Sequence, residues 1–378
     1  MLPTIEYGST KLGKMRVETA IDEKTKRSVV SAVVVDDEVL APSDRFWTSL
    51  YVRYGFGKSF FDFFSYEEVF TRIASVTPQD RLRFCVERDP ASGKGQLLAV
   101  SSPSRPIIHY EDLSSILSQY QGERISYHDG IVESHHLPRQ GHNKFQIAGD
   151  NFSNRFVMRT PVDGYGRPCI YLAMLREVCS NGMIGMSPVF RSEISMGRGS
   201  NKSIFSLTRA MEGFNNDEGY AALRQRFESA SASWASVYEA VSLYKVLAKV
   251  AGQSRVWSDG VALTLGSRET TESIMSSFHK LTGDVSQLYG LANLDSLSAK
   301  RQRMLPVNCK VYDLLNFATE VATHLVVGRA AHRLQAWVGT LVSSEFDLEG
   351  TADRYGDFLD FFTDENTRKA LDGPAGLN

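Results

Sequence analysis

The hydrophobic period of this chain changes near Asn215, and that change limits the folds open to it. Upstream, apolar residues come in short β-branched or alternating runs broken by turns, the pattern of strands. Residues 28–35 read as a buried strand ended by Asp36-Asp37. Residues 81–87 read as a half-exposed strand, and 97–100 as another beyond the Gly93-Lys-Gly95 turn. Short amphipathic helices are predicted at 66–74 and 111–120. Segments 154–160 and 168–178 flank Asp163-Gly-Tyr-Gly166, whose glycines accept positive φ, so a hairpin and an antiparallel layer are predicted there. Downstream, Asn216 or Asp217 caps a helix that reads as unbroken to Gly252, with Leu223, Phe227, Ala230, Trp234, Val237, Val241, Tyr244 and Ala248 on one heptad-like seam. That seam is either a core face of one subunit or an oligomer interface. Further helices are predicted at 268–281, 309–327 and 329–342. The fold class is therefore α+β. A mixed or antiparallel sheet region spans residues 1–215, a helical region packed on it spans 216–344, and an acidic aromatic tail spans 345–378.

Charge and cysteine usage narrow the function classes. A formal charge of −2 over 378 residues removes the simplest argument for nucleic-acid binding but leaves room for a local basic patch. The tail carries nine acids against three bases, so the rest of the chain is net positive. This tail reads as an exposed acidic helix docked by its aromatic face, or as a segment that mimics nucleic acid or recruits a protein. Cys85, Cys169, Cys179 and Cys309 are too far apart for a disulfide scaffold or a zinc motif, which points to buried reduced thiols. The N-terminus lacks a signal-peptide pattern and no apolar run reaches the about 20 residues of a membrane span, so a cytoplasmic location in a bacterial host is expected.

Four constellations carry possible chemistry. From Phe190 to Phe205, glycines and small hydroxyl residues accompany Arg191, Arg198 and Lys202, with Arg209 just beyond. Cations on a Gly/Ser-rich loop suit phosphate, and Phe190 and Phe205 offer stacking faces for single strands. Lys300-Arg-Gln-Arg303 and Lys310 would extend that track or form a solvated linker. His109, His128, His135, His136 and His142 cluster with Asp129 and Glu133, ligand types for zinc or manganese, yet their spacing fits no named metal motif. Tyr312, Asn316, Glu320 and His324 form a polar stripe on an apolar helix, better suited to tying helix to sheet than to catalysis. Finally, Asn181-Gly182 reads as a tight turn whose N–H groups also suit an anion. Walker and Rossmann signatures are absent.

Arg176-Glu-Val-Cys-Ser-Asn-Gly182, followed by Val311-Tyr-Asp-Leu-Leu-Asn-Phe-Ala-Thr-Glu320, resembles the phage/plasmid-like protein family, a domain of unknown function found in prophages, phages and plasmids. The resemblance spans residues 40–345 in order and spacing, with the Asp163 hairpin and the acidic tail as departures. It implies a role in mobile-element DNA metabolism and supplies no catalytic residues. The reading that results is a non-enzymatic, single-strand nucleic-acid-binding protein without a cofactor. In it Arg191, Arg198, Lys202 and Arg209 meet phosphates, Phe190 or Phe205 stacks on bases, and residues 217–251 assemble copies of the chain. Two other readings stand beside it: a module that inhibits a host defence protein through the tail, and a metal-dependent nuclease using the histidines.

Overall fold

β1 (Thr4–Lys11) passes through a tight turn at Leu12–Lys14 into β2 (Met15–Ile21), β3 (Ser28–Val35) and β4 (Glu38–Pro42). α1 (Asp44–Arg53), α2 (Tyr66–Val76), β5 (Arg81–Arg88) and β6 (Gly95–Ser101) follow. The computed structural model describes residues 4–21, 28–57, 60–61, 63–120, 122–138, 144–177, 182–184, 191–196, 200–214, 216–253, 255–258, 261–264, 268–290, 297–325 and 334. These six strands form one sheet in the order β1-β5-β6-β4-β3-β2, antiparallel except for β4 beside β6.

Alternation along the strands gives the sheet two different faces. Leu82 and Val86 of β5, Val33 and Val35 of β3, and Leu97 of β6 join Phe46, Leu50, Val69 and Phe70 of the two helices in one buried core. Both helices begin where the sequence caps them. Ser43 Oγ accepts from Phe46 N at 3.0 Å, and Ser65 exchanges hydrogen bonds with Glu68 in a capping box. Ser49 Oγ then accepts from Val100 N at 2.8 Å, tying α1 to β6.

β1 and β2 are the two edges of this sheet, yet three residues join them. A flat six-stranded sheet would hold its edges roughly 24 Å apart. A three-residue link reaches only about 14 Å. The sheet therefore curls until its edges approach at Leu12–Lys14, where Thr10 Oγ1 of β1 donates to Asp36 Oδ1 in the β3–β4 turn at 2.9 Å.

The chain continues through α3 (Tyr110–Gln119), β7 (Glu123–His128), β8 (Ile131–His136), β9 (Lys144–Ile147), β10 (Asp150–Pro161), β11 (Cys169–Arg176), β12 (Gly182–Ile184), β13 (Arg191–Glu193) and α4 (Ser200–Glu212). β10 and β11 are neighbours, as the Asp163 hairpin signal predicts, with Gly164 at φ 75° and Gly166 at φ 88° in the connection. β12 and β13 both pair antiparallel with β11.

Beyond Asn215 the structure corrects one expectation. The single helix from Asn216 to Gly252 is two helices, α5 (Asp217–Ala232) and α6 (Val237–Gln253), separated by β14 (Trp234–Ser236). Ser233 leaves helical geometry at ψ 133°. Ser236 Oγ then accepts from Glu239 N at 3.2 Å while Glu239 Oε2 takes Ser236 N at 2.7 Å, a capping box that starts the second helix. β15 (Arg255–Ser258), β16 (Val261–Thr264), α7 (Arg268–Thr282), α8 (Val285–Tyr289), α9 (Ala299–Met304), β17 (Pro306–Lys310) and α10 (Val311–Glu320) complete the order, with a π-helical turn at Val321–Leu325. β14 pairs with β17, so the helix expected from residue 309 begins only at Val311. A second core gathers Phe152, Leu172 and Met174 of the strands with Phe227, Leu243, Phe278 and Leu315 of the helices.

Strands concentrate in the N-terminal half and helices in the C-terminal half, so the chain is α+β. Contacts divide it into two compact units: residues 1–134, 159–168 and 194–212, and residues 135–158, 169–193 and 213–378. Residues 345–378 lie outside the described residues, as does the helix expected at 329–342 apart from Leu334. No helix among the described residues is long and apolar enough to cross a membrane.

Candidate functional site

In the first unit, a buried polar network surrounds Asp163 in the connection after β10. Arg45, 4% exposed, reaches from α1 to Asp163: its Nε donates to Oδ2 and Nη2 donates to Oδ1 at 3.2 Å. Nη2 also donates to Tyr165 O at 3.0 Å, and Tyr165 N donates to Asp163 Oδ1 at 2.8 Å. The Arg45 and Arg105 guanidinium groups lie over the Tyr165 ring at 5.1 and 5.7 Å. Around this pair, Tyr7 donates to Val162 O, Tyr127 donates to Glu87 Oε2 at 2.6 Å, and Gly130 N donates to the Tyr127 hydroxyl at 3.0 Å. Gly130 sits at φ 77°, and a Cβ there would stand 2.8 Å from Asp163 Cβ, so both the turn and the close approach require glycine. Burial pushes the Glu87 carboxyl above the usual carboxylate range, aided by Asp129 and Asp89 and opposed by the Tyr127 hydrogen bond. Burial, with Asp163 and Glu87 nearby, also raises the Cys85 thiol well above its ordinary value, which makes it a poor nucleophile.

This network fixes the connection after β10, and that connection holds the approach to α4. Ile194, buried, donates its N–H to Pro168 O at 2.8 Å. α4 then buries Ser203, Leu207 and Met211, spaced four apart on its inner face. At its far end Tyr120 donates to Glu212 Oε1 at 2.7 Å. Phe205 and Arg209 lie on the opposite, outer face, one turn apart; Phe205 is 65% exposed and Arg209 is exposed as well. Two residues of the sequence-predicted site are thus neighbours on a solvent-facing helix. Lys202 stands one turn before Phe205 in the same helix, and Arg191 lies in β13; their side chains are outside the description. Phe190 and Arg198 lie outside the described residues, as does Asn181.

In the second unit, residues from two of the sequence motifs, Arg176 and Tyr312, meet on one carboxylate. Arg176, at the end of β11, pairs with Asp150 Oδ2 at 2.8 Å, and Tyr312, in the first turn of α10, donates to the same oxygen at 2.8 Å. Burial raises the pKa of the Tyr312 hydroxyl; the hydrogen bond from Asn316 lowers it and the one to Asp150 raises it. Asn316 is buried, and Glu320 follows at the end of α10. The His324 side chain lies outside the description. Asp150, absent from the sequence-predicted set, is thus the acceptor that joins helix to strand. Its place in Ala148-Gly149-Asp150, a turn with two positive φ angles opening β10, is the local signal for it. Gly182, at the start of β12, lies opposite Leu175.

The other candidates disperse. His136 is buried and stacked on Phe156 at 5.1 Å, while His109 is exposed at the N-cap of α3 with its ring edge-on to Tyr7. His135 lies in β8, the His128 side chain is outside the description, and His142 is outside the described residues. Among the described residues no group of three His, Cys, Asp or Glu side chains is placed to hold a metal ion. Of the second basic stretch, Arg303 lies over the Tyr238 ring at 4.2 Å, and Lys310 lies over Trp234 at 3.9 Å while donating to Ala232 O at 3.0 Å. Those two cations are engaged locally rather than forming a track. Cys85, Cys169 and Cys309 are buried free thiols, with burial pushing Cys309 up to about 12; Cys179 lies outside the described residues.

No protein-family model, no curated protein and no solved structure matches this chain.

Proposed function

We propose that this chain binds single-stranded nucleic acid without catalysing a reaction on it, and that the outer face of α4 is part of the binding surface. The observation that carries this reading is a largely exposed Phe205 one turn from an exposed Arg209, on a helix whose opposite face is buried. Leaving a phenylalanine ring in water forgoes roughly 2 kcal/mol of burial. An adjacent cation gives that exposed ring a use, because a base stacks on it while the guanidinium meets the neighbouring phosphate. Four residues along a helix advance about 6 Å, a separation that suits one nucleotide step of an extended strand. The resemblance of residues 176–182 and 311–320 to the phage/plasmid-like family supports the same reading, and on it the protein acts in mobile-element DNA metabolism within a bacterial host. The test is fluorescence anisotropy of a labelled oligothymidylate with the full chain, with Phe205→Ala and with Arg209→Gln. Both substitutions are expected to weaken binding. Unchanged affinity in both variants removes α4 from the interface.

A further inference from the structure

We infer that the corner where the first sheet's edges meet is a second anion site, one that takes a chain of linked phosphate groups. An open cleft of about 890 Å³ lies there, lined by Lys11, Lys14, Arg16 and Arg81 together with Asp36 and Asp37. Topology collects these charges. The β1–β5 register sets Lys11 opposite Arg81, the short link to β2 carries Lys14, and β2 opens with Arg16 beside the β3–β4 turn. The link is itself held, with Leu12 N donating to Asp80 O at 2.9 Å and Gly13 N to Pro78 O at 3.0 Å, so the cations hang from a braced backbone.

The two carboxylates do not cancel the four cations. Asp36 Oδ1 is taken by the Thr10 hydroxyl, and Asp37 stands 3.8 Å from Arg16 with both side chains largely in water, a contact that solvent screens. Lys11 donates to Gln79 Oε1 at 2.7 Å and keeps its other protons for a ligand. Among the described residues Lys14 and Arg81 have no acidic partner, and both are exposed. A local excess of two positive charges in a concave site contrasts with the chain's overall charge of −2. Four cations spread across a cleft this wide exceed what a single phosphate group engages, so the chemistry fits several linked groups. Those groups are either a free oligophosphate or a stretch of nucleic-acid backbone. The inference stands apart from the α4 reading, since it uses no residue of that helix.

Calorimetric titration of the full chain with inorganic tripolyphosphate at low salt tests the site. Lys14→Gln combined with Arg81→Gln is expected to weaken binding about tenfold, because two charge-assisted contacts are lost. Asp37→Asn is expected to tighten it about two- to fivefold, a gain that damage to the fold does not produce. Phe205→Ala is expected to leave it unchanged. A competition with unlabelled oligothymidylate separates the sources. Displacement of tripolyphosphate identifies backbone phosphates as the ligand, and coexistence identifies a free oligophosphate; either result supports the site. Failure of tripolyphosphate to bind the wild-type chain, or equal affinity in the Lys14/Arg81 double variant, overturns it.

Discussion

Replacing Arg45 with methionine keeps most of the length of the side chain and removes its charge, which isolates what the buried ion pair does. The Arg45 and Asp163 side chains are 5% and 0% exposed, so the carboxylate left behind has no water to turn to. Of its partners in the network, Asp163 would keep the Tyr165 N–H at 2.8 Å and lose both guanidinium contacts. Stranding one member of a buried pair costs about 3–5 kcal/mol. With a urea m-value of about 2 kcal/mol/M, the unfolding midpoint of the first unit should fall by about 2 M. Arg45→Met combined with Asp163→Asn removes the stranded charge while keeping an acceptor for Tyr165 N, and should recover at least half of the loss. Urea melts read by amide hydrogen exchange across α1 report this unit separately from the other. A single variant costing less than about 1 kcal/mol, or a double variant no better than the single, refutes the reasoning.

In the second unit, Tyr312→Phe should cost about 1 kcal/mol, whereas Asp150→Ala should cost about 2–3 kcal/mol because Arg176 and Tyr312 both lose their shared acceptor. Chemical denaturation of the two variants orders them, and equal losses contradict a shared role for Asp150. Glu87→Gln tests the raised carboxyl. Its folded-state pKa lies above the unfolded value, so its favourable contribution is complete at acid pH and is lost as pH rises through the folded pKa. The variant should therefore gain in Tm over wild type as pH rises above the ordinary carboxylate range, with the difference closing below it. A Tm difference that is flat with pH rejects this assignment.

Local signals in the sequence were legible where neighbouring residues decide the structure. β3, α2, α3 and the connection after β10 follow from β-branched runs, amphipathic spacing and paired glycines, and the structure contains each of them. The seam from Leu223 to Ala248 misled because apolar spacing alone does not show where a helix stops. Ser236-Val-Tyr-Glu239 spells a capping box inside that seam, and the strand partner that makes the break worthwhile, β17, lies some seventy residues later. Asp129-Gly130, a hairpin dipeptide, was overshadowed by the histidines around it. The Arg45–Asp163 pair was not legible at all, since its members are 118 positions apart and nothing local marks an arginine as buried. On the candidate site, Tyr312 and Arg176 were both singled out from sequence, but their meeting on Asp150 is a tertiary fact. Phe205 and Arg209 were legible as a stacking ring and a cation; their common exposed face required the helix.

The central claim is that an exposed ring and its neighbouring cation hold a nucleic-acid strand, and a salt series of oligothymidylate affinities addresses it most directly. Log affinity is expected to fall linearly with log salt concentration, with Arg209→Gln reducing that slope by about 0.7 and Phe205→Ala weakening binding by about 1–3 kcal/mol with the slope unchanged. Wild-type protein that shows no salt-dependent binding, or variants whose curves overlay the wild type, would contradict it.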